Sequence, residues 1–301
     1  MAKTAKRGKQ KSIITSIVFF VAIIAVVLGR FNKDFETAEK PGETAEAYTY
    51  SVHFIDVVQG SSTLLKSENV GILIDAGERE YGSKVVDYLK SNGIEKLDYV
   101  VATHPHTDHI GGLQAVLEAF PVDNIIMPKL SSENTPTTKT YESLLETIIN
   151  KKIKVIPAKF GKEYTVGKIT LEIFGPVEQS SDLNNMSVIC KASVNSTTVL
   201  LSGDAEKKEM KSVMNKNPDL SCDVMLMGHH GSRTSLEKSY LRSADPGIGI
   251  ISCGLDNSYG HPHEETIEYL ENNNIKFYRT DKVGTIVLNC YDNGYKVSTE
   301  K

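Results

Sequence analysis

Residues 103–112 read Thr-His-Pro-His-Thr-Asp-His-Ile-Gly-Gly, so that His104, His106, Asp108 and His109 fall in one short stretch. Val100-Val101-Ala102 before it is an apolar strand end, and Leu113 to Phe120 after it has helical apolar spacing. The cluster therefore sits in a strand-to-helix loop, which can aim three imidazoles and a carboxylate at one point. Neutral imidazole and carboxylate suit zinc, manganese or iron, and four such groups on one loop can serve two ions held by different members. Gly111-Gly112 is expected to let the following helix start close to the ions. A solvated histidine-rich turn is the bland alternative, and the spacing argues against it.

This His-x-His-x-Asp-His string resembles the signature of the metallo-β-lactamase-fold hydrolases. Within them the chain is most similar to the branch that contains the extracellular domain of the ComEC DNA-uptake proteins and the teichoic-acid choline-phosphate esterases. The resemblance runs from about Val52 to Thr285. It implies an α+β chain built as a four-layer αββα sandwich, with two divalent metal ions, zinc or manganese, at one edge between the sheets.

The first thirty residues differ from the rest. Lys3, Lys6, Arg7, Lys9 and Lys11 precede Ile13 to Leu28, an uncharged and mostly apolar run. That run is marginal for a membrane-spanning helix, which needs about 18–20 residues, although Ser12 and Gly29 extend it. No Ala-x-Ala cleavage site follows, which favours an uncleaved signal anchor over a secretory signal peptide. The basic flank places the N-terminus in the cytoplasm and the remainder outside. The expected organisation is a basic tail at 1–12, a transmembrane anchor at 13–29, an acidic, Pro-Gly-containing tether at 30–49 and a hydrolase domain at 50–301.

Charge narrows the partners. Beyond residue 30 the chain has 28 basic against 38 acidic residues, a net of −10. A broad nonspecific DNA groove is basic, so this balance counts against a processive nuclease acting alone, while metal ions and a local basic patch still manage a few phosphates. Cys190, Cys222, Cys253 and Cys290 lie in or beside apolar runs with no Cys-x-x-Cys spacing, and read as buried thiols, with disulfides outside the cell as the alternative.

Three short strands are expected from Val52 to Asp75, broken by a turn at Asp56-Val57-Val58-Gln59-Gly60-Ser61. In the resembled family this turn usually reads Asp-Val-Gly-Gln-Gly-Asp. Val58 and Ser61 depart from it, which leaves open any role carried by the missing carboxylate. Asp75 ends its strand where the family orients the metal loop by hydrogen bonding, so support rather than ligation is its expected role. Alternating helix and strand then lead to half-buried strands at Lys154 to Gly175. A hairpin follows at Val188 to Leu201, and the last strands, near Phe277 and Gly284 to Leu288, are expected to finish the second sheet.

The remaining site residues follow from the resemblance. Many relatives carry a histidine ligand where this chain has Leu183-Asn184-Asn185-Met186-Ser187, a string typical of the ComEC-like branch, and Asn184 or Asn185 is a candidate phosphate donor. Asp204, after Ser202-Gly203, matches the bridging aspartate. Gly228-His229-His230-Gly231-Ser232 matches the last metal motif, with His229 or His230 as ligand, His230 preferred, and Ser232 as a substrate contact. Asn257-Ser258-Tyr259-Gly260-His261 opens a helix near the expected mouth, offering Tyr259 and His261 to substrate and His261 as a general acid.

The implied mechanism is metal-assisted hydrolysis. His104, His106 and Asp204 take one ion; Asp108, His109, Asp204 and His229 or His230 take the other, with a bridging hydroxide as nucleophile. A phosphodiester is the expected substrate, either DNA or a cell-envelope choline-phosphate ester. The alternatives are a lactonase or β-lactamase-like hydrolase and a tethered, non-catalytic binding module. Participation in DNA uptake requires a separate channel protein.

Overall fold

The computed structural model describes residues 50–301. The expected basic tail, transmembrane segment and tether lie outside the described residues. Among those described, no helix is long and apolar enough to cross a membrane.

Fifteen strands are described in chain order. They are β1 (Tyr50–Phe54), β2 (Thr63–Ser67), β3 (Val70–Ile74), β4 (Lys96–Val101), β5 (Val122–Met127), β6 (Lys154–Pro157), β7 (Lys162–Val166) and β8 (Ile169–Ile173). They continue with β9 (Cys190–Val194), β10 (Thr197–Leu201), β11 (Val224–Leu226), β12 (Ile248–Ile251), β13 (Lys276–Arg279), β14 (Ile286–Tyr291) and β15 (Gly294–Thr299). One sheet has the order β15-β14-β1-β2-β3-β4-β5-β6, the other β13-β12-β11-β10-β9-β8-β7. Each is mixed. In the first, β3 to β6 run parallel and the rest antiparallel. In the second, β10 to β13 run parallel.

The side-chain period of two makes the layers. In β3, Ile72 and Ile74 face the opposite sheet while Leu73 faces the outer helices; in β10, Leu201 faces inward and Leu200 outward. The inner faces close one apolar core between the sheets. The helices Gly82–Ser91, Leu113–Ala119 and Lys139–Lys151 cover the outer face of the first sheet. Lys207–Met214, Lys238–Ala244 and Glu264–Asn272 cover that of the second. The expected αββα sandwich is thus observed. The four cysteines are free and buried.

The last strands differ from expectation. The strand expected at Gly284 to Leu288 does not finish the second sheet; as β14 it crosses to the first and pairs antiparallel with β1, Val52 opposite Leu288. The connection is too short for one alternative, a parallel place in the second sheet. Only residues 280–285 separate β13 from β14, whereas a parallel crossover within one sheet needs about a dozen. The hairpin partner β15 then extends that edge.

Candidate metal centre

Five parallel strands deliver the site. Asp75 follows β3, the histidine loop follows β4, Asp204 follows β10, the His229-His230 turn follows β11 and Ser252 follows β12. Carboxyl ends of parallel strands are where open sheets present ligand groups. Here two sheets bring their ends to one edge.

Asp75, at φ 58° and 1% exposed, organises the loop. Its Oδ1 accepts from the Thr103 backbone N–H at 2.8 Å, and its Oδ2 accepts from the Thr103 hydroxyl at 2.6 Å and from His109 Nδ1 at 2.7 Å. The Thr103 hydroxyl, its proton given to Asp75, accepts from His104 Nδ1 at 3.1 Å. A carboxylate can only accept, so His109 carries a proton on Nδ1, which leaves Nε2 as the atom it turns to the site. His230 is fixed in the same way, donating from Nδ1 to the Ser252 carbonyl at 2.9 Å.

Those free nitrogens meet carboxylates. His109 Nε2 is 3.1 Å from Asp204 Oδ1; His230 Nε2 is 3.1 Å from Asp108 Oδ2 and 3.6 Å from Asp204 Oδ2. His104 Nε2 is 3.7 Å from Asp204 Oδ2 and 3.0 Å from His106 Nδ1. Burial alone would lower the His109 and His230 pKa values, but Asp204 with Asp75 for the one, and Asp204 with Asp108 for the other, outweigh it and raise both. Burial would raise Asp204 and Asp108, and the surrounding imidazoles hold both below the usual carboxylate range. His104 is pushed well below its ordinary value by burial and by His109 beside it.

The residues fit a metal ion. His109 Nε2 and Asp204 Oδ1 are buried and neither has a hydrogen-bond partner. A nitrogen and a carboxylate oxygen aimed at one another repel unless a cation, a proton or a metal ion, lies between them. Asp108, His109, Asp204 and His230 each offer a ligand atom within 4.8 Å of every other. Imidazole with carboxylate is a donor set for zinc, manganese or iron.

The other candidates take different places. His229 shares the left-handed turn with His230, at φ 52°, but its Nε2 stands 3.7 Å from Asp204 Oδ2 and its Nδ1 3.2 Å from the Thr234 hydroxyl, on the more exposed side. His261 is 8% exposed and its Nδ1 has no partner. Burial, then His230 and His229, lower it to about 4. The lowered value favours the neutral ring. Tyr259 is exposed and stacks on His261.

Asn184, Asn185 and Ser232, expected at the substrate, lie in short turns of the chain. The Asn185 Oδ1 accepts from the Glu206 and Glu209 N–H groups, both at 3.2 Å, and its Nδ2 donates to Asp182 at 2.8 Å. Its amide thus caps the start of the helix Lys207–Met214. Asn184 sits in the same short turn with Oδ1 buried and unpaired. Ser232, 3% exposed, accepts from the Thr234 N–H at 3.3 Å and holds its own turn. Gly111 and Gly112 are also explained otherwise. A Cβ on Gly112 would fall on the Ala76 carbonyl oxygen, so it serves the approach of the loop after β3 and not of ions.

Three residues escaped the sequence reading. Thr103 links Asp75 to both histidines, Ser252 fixes His230, and the Ser187 hydroxyl accepts from the Asp204 N–H at 3.0 Å. Ser187 closes the string that stands in place of the relatives' histidine, which was the signal available. The turn before β2 supports Asp108 through backbone. Gly60, at φ 128°, lies against the Asp108 carbonyl, and the Ser61 N–H donates to that oxygen at 3.1 Å.

A family model described as the Metallo-beta-lactamase superfamily matches residues 55–255. ComE operon protein 3 of Bacillus subtilis is 28% identical over 254 residues, 78% of this chain and 32% of that protein. Competence protein ComA of Neisseria gonorrhoeae is 27% identical over 244 residues, 80% of this chain and 32% of that protein. The chain thus spans about a third of the length of the curated relatives it matches. Among solved structures, the metallo-beta-lactamase fold protein YhfI from Bacillus subtilis aligns with a TM-score of 0.50 at 15% identity, covering 76% of this chain and 95% of that one, a likeness of fold.

Proposed function

Because this chain belongs to the metallo-beta-lactamase superfamily and is related to competence proteins, we propose that it is a metal-dependent hydrolase, a phosphodiesterase that acts on DNA. One observation carries the reading: Asp108, His109, Asp204 and His230 converge, with buried atoms of His109 and Asp204 that nothing else satisfies. These four would hold one divalent ion, and His104, His106 and Asp204 a second. A divalent ion there, zinc or manganese, supplies Lewis acidity and lowers the pKa of water toward neutrality.

The chain's own groups do the positioning. Asp75 and the Ser252 carbonyl accept from the Nδ1 atoms of His109 and His230 and so turn their Nε2 atoms to the site. Asp204 presents Oδ1 to His109 and Oδ2 to His104, His229 and His230, so it lies within reach of both sets of ligands. His261, neutral at pH 7, donates an N–H to a phosphate oxygen. No protein nucleophile is needed. A phosphodiester is favoured over a lactone or amide by the relation to competence proteins and the Asn-Asn-x-Ser string in place of a further histidine. Membrane anchorage through residues 13–29, an extracytoplasmic site and a separate channel partner belong to the same reading and rest on sequence.

The test is cleavage of single-stranded DNA by the full chain in detergent with manganese or zinc, beside Asp204→Ala. Cutting that vanishes in the variant supports the reading. Folded, metal-loaded protein that leaves DNA intact sinks it.

A further inference from the structure

A row of rings leads out of the metal-ligand cluster. Centroids lie 5.2 Å apart from His109 to His230, 6.0 Å from His230 to His261 and 5.7 Å from His261 to Tyr259. The interplanar angles fall along it, 44°, 31° and 18°, so the outer rings approach a parallel stack. The first three rings are buried, whereas Tyr259 is 64% exposed. Its loop is set in advance. The Asn257 side chain donates to the Gly254 carbonyl at 2.9 Å and to the His261 carbonyl at 2.5 Å, and accepts from the His261 N–H at 2.9 Å. An aromatic ring backed on one face and held on a tied loop offers its other face at little ordering cost.

Val58 and Leu255 are also exposed, and Gly254, which precedes Leu255, packs against Val58. Residues 50–301 carry 26 basic and 33 acidic residues, a net of −7. A protein of that charge gains little from releasing counterions of a phosphate backbone. Stacking of bases on aromatic side chains supplies affinity independent of charge, and only unpaired bases are free to stack.

We propose that Tyr259, backed by His261, is a stacking platform that selects single-stranded nucleic acid. It takes a nucleobase flanking the scissile phosphodiester, since two ring steps separate it from His230. The inference rests on the phosphodiesterase reading and names its substrate form.

The full chain is tested with fluorescein-labelled oligo(dT) and a duplex of equal length. Binding is read by anisotropy in EDTA, where nothing is cut, and cleavage of the single strand is followed with manganese. Tyr259→Ala is expected to weaken single-strand binding and raise KM about tenfold, with a much smaller fall in kcat, while Tyr259→Phe behaves as the native chain. Duplex binding is expected to be weaker than single-strand binding and unchanged by either variant. Native-like binding and KM in Tyr259→Ala overturn the platform and leave the phosphodiesterase standing. Tyr259-dependent binding without cleavage overturns the phosphodiesterase alone. Neither binding nor cleavage overturns both.

Discussion

Asp75 and His109, thirty-four residues apart in sequence, are joined by a buried hydrogen bond of 2.7 Å from His109 Nδ1 to Asp75 Oδ2. The bond fixes which nitrogen of His109 is free. It also ties the end of β3 to the loop after β4, so ring orientation and loop position are decided by one carboxylate that also holds Thr103.

Asp75→Asn is therefore expected to keep the fold, because asparagine tolerates the left-handed backbone of residue 75. Without the carboxylate, His109 is a weaker and less well oriented ligand, and metal affinity falls about 10- to 100-fold. Competition with a chromogenic chelator measures this. Unchanged affinity would remove Asp75 from the site.

His229 and His230 are expected to separate. His230 Nε2 faces both Asp108 and Asp204, whereas His229 reaches Asp204 only at 3.7 Å and from the exposed side. Metal content by elemental analysis falls in His230→Ala and is largely retained in His229→Ala, with thermal melts confirming that both are folded. The opposite order would reassign the ligand.

Val58 has a φ of 60°, a conformation that a β-branched residue adopts only under strain. The strain costs about 1–2 kcal/mol, of which glycine's extra unfolded-state entropy takes back about half. Val58→Gly is thus expected to stabilise the protein by about 0.5–1 kcal/mol and to raise Tm by about 1–4 °C. A lowered Tm would show that Val58 packs more usefully than its 39% exposure indicates.

Glu209 is buried beneath the Val177 N–H, which donates to it at 2.6 Å, and burial raises its pKa from 4.5 to about 7. The unfolded chain therefore releases this proton at lower pH than the folded one. The stabilisation is complete below the unfolded value and is lost as pH rises toward 7. Glu209→Gln keeps the acceptor and removes the titration, so its melting temperature falls less than that of the native chain between pH 5 and pH 8. Parallel curves would refute the assignment.

The histidine loop, Asp204 and the His229-His230 pair were legible because ligand chemistry needs particular residue types, and their spacing along single loops is a local property. The layers were legible too, since a period of two in Ile72-Leu73-Ile74 and helical spacing after residue 113 state which face is buried. Roles that depend on what lies opposite were not. Asn185 resembled a phosphate donor until its amide was seen to cap a helix twenty residues later, and Ser187, Ser252 and Thr103 carried no motif of their own. Nor did alternation say which sheet β14 joins, because an apolar face fits either; the short connection excludes only a parallel place in the second sheet, and β14 pairs with β1. The sequence by itself determined the donor atoms and the faces they share. Tertiary structure decided which nitrogen of each histidine is free and which strand borders which, because hydrogen bonds between distant strand ends set both, and no local pattern encodes a partner a hundred residues away.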